Sequence, residues 1–331
     1  MKRLLALLIT GLLFTFGAIN VHNAFLLIDY RATSNDEKVD VIIENGDFGL
    51  EIAKKLEAAG VVKTAKAFYR AALSQKRSQS IPPGVHSIDI QISASSAIDQ
   101  LLDKKRNRGV ISFIEGLRTY EILDILNNSD LLEGKFSGEI FPDPVFKTKN
   151  LEGFLFPAQY AFAPNTTVNE AVLQMLARFK ISAQSSGLVK GIDGYSPYEL
   201  LIIASIAQAE GDREDYAKIA RVIFNRLKMN MPLQMNSTID YAEKKRGNIR
   251  MSYKQLELNS KYNTYRYRGL TPTPIGSPGE AAMEAAVNPA KGDWLYFITV
   301  KPKDTRFTNS YSEFSKWVIE FRKNEDAGLF K

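Results

Sequence analysis

Apolar positions along this chain fall into three kinds of pattern, and each predicts a different element. Residues 4–21 are mostly apolar and carry no charge, a length near the minimum for crossing a bilayer core. Shorter runs follow with strand-like or helical spacing. Residues 39–44 predict a strand, and 48–59 predict a helix with Ile52, Leu56 and Ala59 at helical spacing and Gly60 as a stop. Residues 64–73 predict a second helix. Pro82-Pro83-Gly84 makes a turn before a strand over 85–92, and 95–102 predict a third helix. The third pattern is Leu200 to Ala207, apolar on every side, which predicts a helix buried all round.

The first run has the flanks of an anchor. Lys2-Arg3 precede it, no small-x-small cleavage site follows it, and a second apolar patch at 24–28 continues it. An uncleaved single-pass anchor in the inner membrane is expected. Its N-terminus would lie in the cytoplasm and the rest of the chain outside. The polar residues 31–38 read as a linker. Beyond them the alternation of strands and helices predicts an α+β body in two parts. Residues 39–108 form a strand-helix-helix-strand unit similar to LysM-type glycan-binding modules, and 109–331 form a mixed α+β domain that carries the chemistry. Gly46-x4-Glu51-Ile52-x3-Leu56 is echoed by Gly116-x4-Glu121-Ile122-x3-Leu126. Residues 109–150 are therefore either a second such unit or an interdomain segment.

Composition narrows the chemistry. The chain has 331 residues, 45% of them hydrophobic, enough for a substantial core. It has no cysteine, which removes disulfides, thiolate nucleophiles and Cys-based metal sites. Its two histidines are His22, beside the apolar run, and His86, in a predicted strand where a structural role is expected. The net charge of +6 is spread without a basic stripe interleaved with aromatics, so nucleic acid is not expected as a partner. Chemistry must rest on carboxylates, amides, hydroxyls or Lys/Arg.

One carboxylate stands out. Ser196-Pro197-Tyr198-Glu199 reads as a capping box with proline at the first helical position. The apolar helix that follows runs to Gln208-Ala209-Glu210 and stops at Gly211, and Asp212 is expected to start a new amphipathic helix. Glu210 thus sits at the carboxyl end of a buried helix. Desolvation and the helix dipole both raise its pKa there, as a general acid requires. A solvated acid at a helix end is the competing reading. Polar residues downstream are candidates for substrate binding: Asn225, Gln234, Asn236, Thr238, Asn263, Thr264 and Tyr265, with Gln208 beside the acid. Each is individually compatible with a structural role. The aromatic segment 151–160 fits either a sugar site or core.

Taken in order, these segments resemble the YceG/MltG-like family of endolytic murein transglycosylases. The resemblance rests on LEGFLFPAQY, IASIAQAEG, VIFNRLKMNMPLQ, YNTY and the Pro/Gly loop that ends at Gly279. It implies a membrane anchor, a LysM-like domain and a catalytic domain whose acid/base falls on Glu210. The implied reaction cuts the MurNAc–GlcNAc β-1,4 bond of peptidoglycan strands without water and leaves a 1,6-anhydro end. It implies no cofactor or metal, and cell-wall synthesis or division proteins as neighbours. The chain departs from the family pattern at Asn236, where an acid is usual, at Thr271–Thr273 in the Pro/Gly loop, and at Arg306, where a histidine is usual. Three other readings stand beside it. One is a muramidase-type hydrolase pairing Glu210 with an acid such as Asp240. One is a non-catalytic wall-binding scaffold. The last is a pyridoxal-dependent lyase of the aminodeoxychorismate type, for which no phosphate-binding motif is visible.

Overall fold

The computed structural model describes residues 28–44, 46–163, 165–192, 194–247 and 250–330. The expected anchor at 4–21 lies outside them. Among the described residues no helix is long and apolar enough to cross a membrane. The chain forms two compact units. One runs to Ile111 and takes in Tyr160–Asn165, and the other comprises Ser112–Gln159 and Thr166–Lys331.

In the first unit, β1 (Lys38–Ile43) leads to α1 (Gly49–Ala58) and α2 (Ala65–Ser74). Strand β2 (Gly84–Asp89) then returns antiparallel to β1 with Val41 opposite His86, and α3 (Ala94–Leu102) follows. Thr64 and Ser93 cap α2 and α3 through their hydroxyls. Val41, Ile43, Leu56, Phe68, Ile88 and Ile98 are buried between helices and strands, each worth roughly 1.5–3 kcal/mol relative to exposure. Strand β2 is shorter than its apolar pattern suggests. Gln91 takes a left-handed φ of 55°, which turns the chain, and the Asp89 N–H is drawn to the Gln100 side chain. His86 is buried, with Nε2 2.8 Å from the Pro82 carbonyl and 3.2 Å from Asn107 Nδ2, and burial pushes its pKa down. That is a structural histidine.

Two short strands, β3 (Val110–Ser112) and β4 (Gln159–Ala161), pair with each other. Gly116 then turns the chain with φ +79° into α4 (Thr119–Asn127), as Gly46 with φ +94° turns it toward α1. The echo in the sequence is therefore a shared strand, left-handed glycine and helix. It goes no further, because only a single 3-10 turn at Pro144–Phe146 lies between α4 and β4.

The second unit is built around α6. Helix α5 (Val168–Ser185) precedes α6 (Pro197–Glu210), and α7 (Tyr216–Lys228), α8 (Asn236–Ala242), α9 (Tyr253–Leu256) and α10 (Glu280–Val287) follow. A hairpin of β5 (Tyr296–Lys301) and β6 (Asp304–Thr308) leads into α11 (Tyr311–Asp326). Every α6 residue from Leu200 to Ala207 is buried. Ser196 and Glu199 complete the capping box, with Pro197 in the first turn. The aromatic segment supplies core rather than a sugar face: Phe154 is fully buried and packs edge-on against Phe146 and Phe179. Helix α7 starts at Tyr216, not at Asp212. Gly211 is extended after α6, and Asp212 to Asp215 close a turn through a backbone bond of 2.9 Å. A side chain at Gly211 would meet the tip of Ile219 at 2.4 Å, so α7 packs close against the end of α6 there.

Candidate functional site

Helix α6 delivers Glu210 as its last residue, at one side of a cleft of about 660 Å3. The cleft is also lined by Arg226, Gln234, Asn236, Tyr265 and Tyr296, with Phe314 of α11 as part of its wall. Its volume lies in the range of about 300–1,000 Å3 usual for ligand sites.

The Glu210 carboxyl is held on one oxygen only. Oε1 accepts from the Ser237 backbone N–H at 2.9 Å and from Ser237 Oγ at 2.6 Å. Oε2 has no hydrogen-bond partner among the described residues. Ser237 lies in the first turn of α8, so the amino end of one helix steadies the acid at the carboxyl end of another. Burial pushes the Glu210 pKa up and the neighbouring Asp240 adds to this, while the Ser237 bonds and the Arg226 charge pull it back. Burial prevails, so the group favours its protonated form more than a free carboxyl does.

The other polar candidates divide in two. Asn236 and Tyr265 line the cleft and meet there, the phenol donating to Asn236 Oδ1 at 2.6 Å. Burial and the Glu210 charge push the Tyr265 phenol up to about 12. Gln234 is exposed on the same cleft with a left-handed φ of 52°. Thr238, Asn263 and Thr264 are buried behind this surface. Thr264 Oγ1 accepts from the Met235 N–H at 3.0 Å and lies 2.9 Å from Thr238 Oγ1, and the Asn263 amide spans the Leu256 and Leu258 carbonyls. They shape the 234–238 turn from within. Asn225 donates to the Gly292 and Trp294 carbonyls and braces the approach to β5. Gln208 is two residues from Glu210 and so on another face of α6. It accepts from the Gly279 N–H and lines a separate cleft of about 410 Å3 with Glu115, Asp240 and Arg246.

Ser237, Arg226, Tyr296 and Phe314 escaped the sequence reading as site residues. Ser237 and Arg226 stand next to the candidates Asn236 and Asn225, and no local pattern singles them out. Arg306, at the family's histidine position, bonds Asp304 and Glu320 and clamps α11 to the hairpin. Among the described residues no group of three or more His, Asp or Glu is placed to hold a metal ion.

The fold and site together define a mixed α+β protein with one perturbed carboxyl in a cleft of amides and aromatics. The model of the YceG-like family matches residues 41–320, and the chain belongs to that family. An endolytic murein transglycosylase of Bacillus subtilis is 31% identical over 301 residues, covering 84% of this chain and 83% of that protein. One of Streptococcus pneumoniae is 36% identical over 176 residues, 51% of this chain but 32% of that protein. A crystal structure of a yceG-like protein from Listeria monocytogenes shares the fold with a TM-score of 0.55 at 24% identity. It matches 85% of this chain and 99% of that one.

Proposed function

We propose that the chain is an endolytic lytic transglycosylase acting on peptidoglycan strands, with Glu210 as its single acid/base. The observation that carries the site assignment is the Glu210 carboxyl itself, steadied on Oε1, with no partner on Oε2 among the described residues, and biased toward protonation in a cleft large enough for sugar rings. Protonated Oε2 gives its proton to the glycosidic oxygen as the C1–O bond of MurNAc breaks. The carboxylate then takes the proton of the C6 hydroxyl of the same MurNAc while O6 bonds to C1. The products are a 1,6-anhydro end and a free GlcNAc hydroxyl, and no water is consumed. One carboxyl suffices, unlike the paired carboxyls of ordinary glycoside hydrolysis.

Asp240 is the natural partner for the competing hydrolase reading, since its charge reaches Glu210. It lines the cleft of Gln208, not that of Glu210, which favours the single-carboxyl mechanism. The first unit is assigned as a LysM-like glycan-binding domain. Its β-α-α-β order and the exposed Phe48, Tyr69 and Leu73 around one cleft support this. Residues 4–21 are assigned as an inner-membrane anchor from their composition, which would keep the enzyme beside nascent strands and wall-synthesis proteins.

The test is product analysis. Full-length protein in lipid vesicles is incubated with nascent un-crosslinked strands, and the fragments are read by mass spectrometry beside Glu210→Gln. Anhydro ends from the wild type alone are expected. Reducing ends would convert the reading to a hydrolase, and equal cleavage by the variant would remove Glu210 from the chemistry.

A further inference from the structure

Arg226 is the one buried cation beside the acid, and its surroundings leave it incompletely satisfied. It is 5% exposed and lines the Glu210 cleft. Nε donates to the Leu295 carbonyl at 2.7 Å, and Nη1 donates to the Leu233 carbonyl. The guanidinium lies over the Tyr296 ring, 5.5 Å from its centroid. No carboxylate is within ion-pair distance among the described residues, Glu210 included, and Nη2 has no hydrogen bond there. A buried charge is ordinarily paired or fully hydrogen-bonded. Here two carbonyls and a ring face fix the plane of the fork, and among the described residues the third nitrogen has no acceptor. Two backbone braces make this a held geometry and not a mobile side chain.

The cleft must take a sugar whose bond lies within reach of Glu210. Resting on that reading, we propose that Arg226 is a substrate-binding residue whose Nη2 donates to an acyl carbonyl oxygen of the MurNAc being cut. MurNAc carries two such groups, the acetamido carbonyl and the lactyl carbonyl that leads to the stem peptide. Either would supply the acceptor that the protein withholds. A guanidinium suits this better than an ammonium, because its planar fork is already pinned on two sides. The contact would make the site selective for an acylated sugar and would set the ring against Glu210. Glucose-type polymers without acyl groups would forfeit it.

The experiment compares kcat/KM on three substrates: native strands, strands de-N-acetylated at MurNAc, and strands freed of stem peptides whose lactyl carboxyls are then reduced to alcohols, so that the lactyl carbonyl is gone. Full-length wild type, Arg226→Lys and Arg226→Gln are tested in lipid vesicles, and the melting temperature of each is recorded. The wild type is expected to prefer native strands over one of the two altered substrates by about tenfold or more, the size of one hydrogen bond to a charged group. Both variants should lose that preference, whatever fall in overall activity accompanies the loss of a charge beside Glu210. Loss of preference against de-N-acetylated strands identifies the acetamido carbonyl, and loss against carboxyl-reduced strands identifies the lactyl one. A ratio of rates within each protein is insensitive to how much of it is folded, so a purely structural Arg226 would lower activity and leave the preference intact. That result, or a wild type indifferent to both changes, overturns the proposal. Glu210→Gln run in parallel separates this from failure of the wider reading: if it cleaves native strands, the acid/base assignment fails.

Discussion

Glu210 is pulled in two directions, by burial toward the acid and by Ser237 toward the carboxylate, and each pull can be tested alone. The first step requires the protonated carboxyl, so kcat should fall as pH rises through its raised pKa. Ser237→Ala removes the 2.6 Å hydroxyl bond that favours the carboxylate but keeps the backbone one. The alkaline limb of the pH–rate profile should therefore move to higher pH, and a limb that stays or moves down would refute the balance. The same shift has a stability counterpart. A carboxyl whose folded pKa is raised contributes stability that is full below its unfolded pKa and is lost as pH rises through the folded one. Glutamine is neutral at every pH and its carbonyl can still accept both Ser237 bonds. Glu210→Gln should melt higher than wild type at neutral and alkaline pH, with the curves converging in acid, while kcat drops by roughly 10²–10⁴-fold or more. A lower melting temperature at pH 8 would mean that the charged form is not penalised. Glu210 was legible because its signals are local: a capping box, an apolar run and a glycine stop. Ser237 and Arg226 were not, because their contacts to the acid and to Leu295 span 27 and 69 residues. Thr238, Asn263 and Thr264 lie behind the cleft surface, and polar side chains that bond buried backbone or one another look in sequence like those that bond a ligand.

Elements show the same contrast between local and distant causes. The limits of α6 could be read from Ser196, Pro197, Glu199 and Gly211, all of which act within a turn. What α6 packs against could not. Ser205 lies among its apolar residues, donates to the Ile202 carbonyl and accepts from the Ile275 N–H at 3.0 Å. That bond fastens the Pro/Gly loop to the helix across 70 positions. Thr271 and Thr273, where the family pattern differs, close the loop on itself by donating to the Thr273 and Pro274 carbonyls. Ser205→Ala would leave the Ile275 N–H buried without an acceptor, a cost of about 1–3 kcal/mol. The urea midpoint should drop accordingly with the slope unchanged. A change under about 0.5 kcal/mol would show that the loop is held by packing alone. At β2 the apolar pattern ran on past the element because a left-handed Gln91 ends it, and α7 starts four residues later than expected because an extended Gly211 and a turn at Asp212–Asp215 delay it; neither conformation is written in hydrophobicity.

At the scale of the molecule, the α+β character followed from the switch between strand-like and helical spacing, but the interleaving of the units did not. Residues 160–165 join the first unit although the chain has by then entered the second, through the pairing of β3 with β4 and the Phe162 N–H bond to the Gly109 carbonyl. Two units imply two tasks if the first grips glycan while the second cuts it, and kinetics can divide them. Phe48 is 74% exposed and Leu73 67% exposed, both beside a cleft of about 660 Å3 at the α1–α2 end of the first unit. Apolar side chains so exposed contribute little to the fold, so replacing them should change stability by no more than about 0.5 kcal/mol. If they meet sugar rings, their loss removes binding that is equal in the ground and transition states. Such a loss raises KM and leaves kcat alone. Phe48→Ser with Leu73→Ser should therefore raise KM for long strands several-fold at unchanged kcat. The effect should fade on fragments too short to occupy a second site while they are being cut. A fall in kcat instead would tie the first unit to the chemistry, and an unchanged KM on long strands would take it out of glycan recognition.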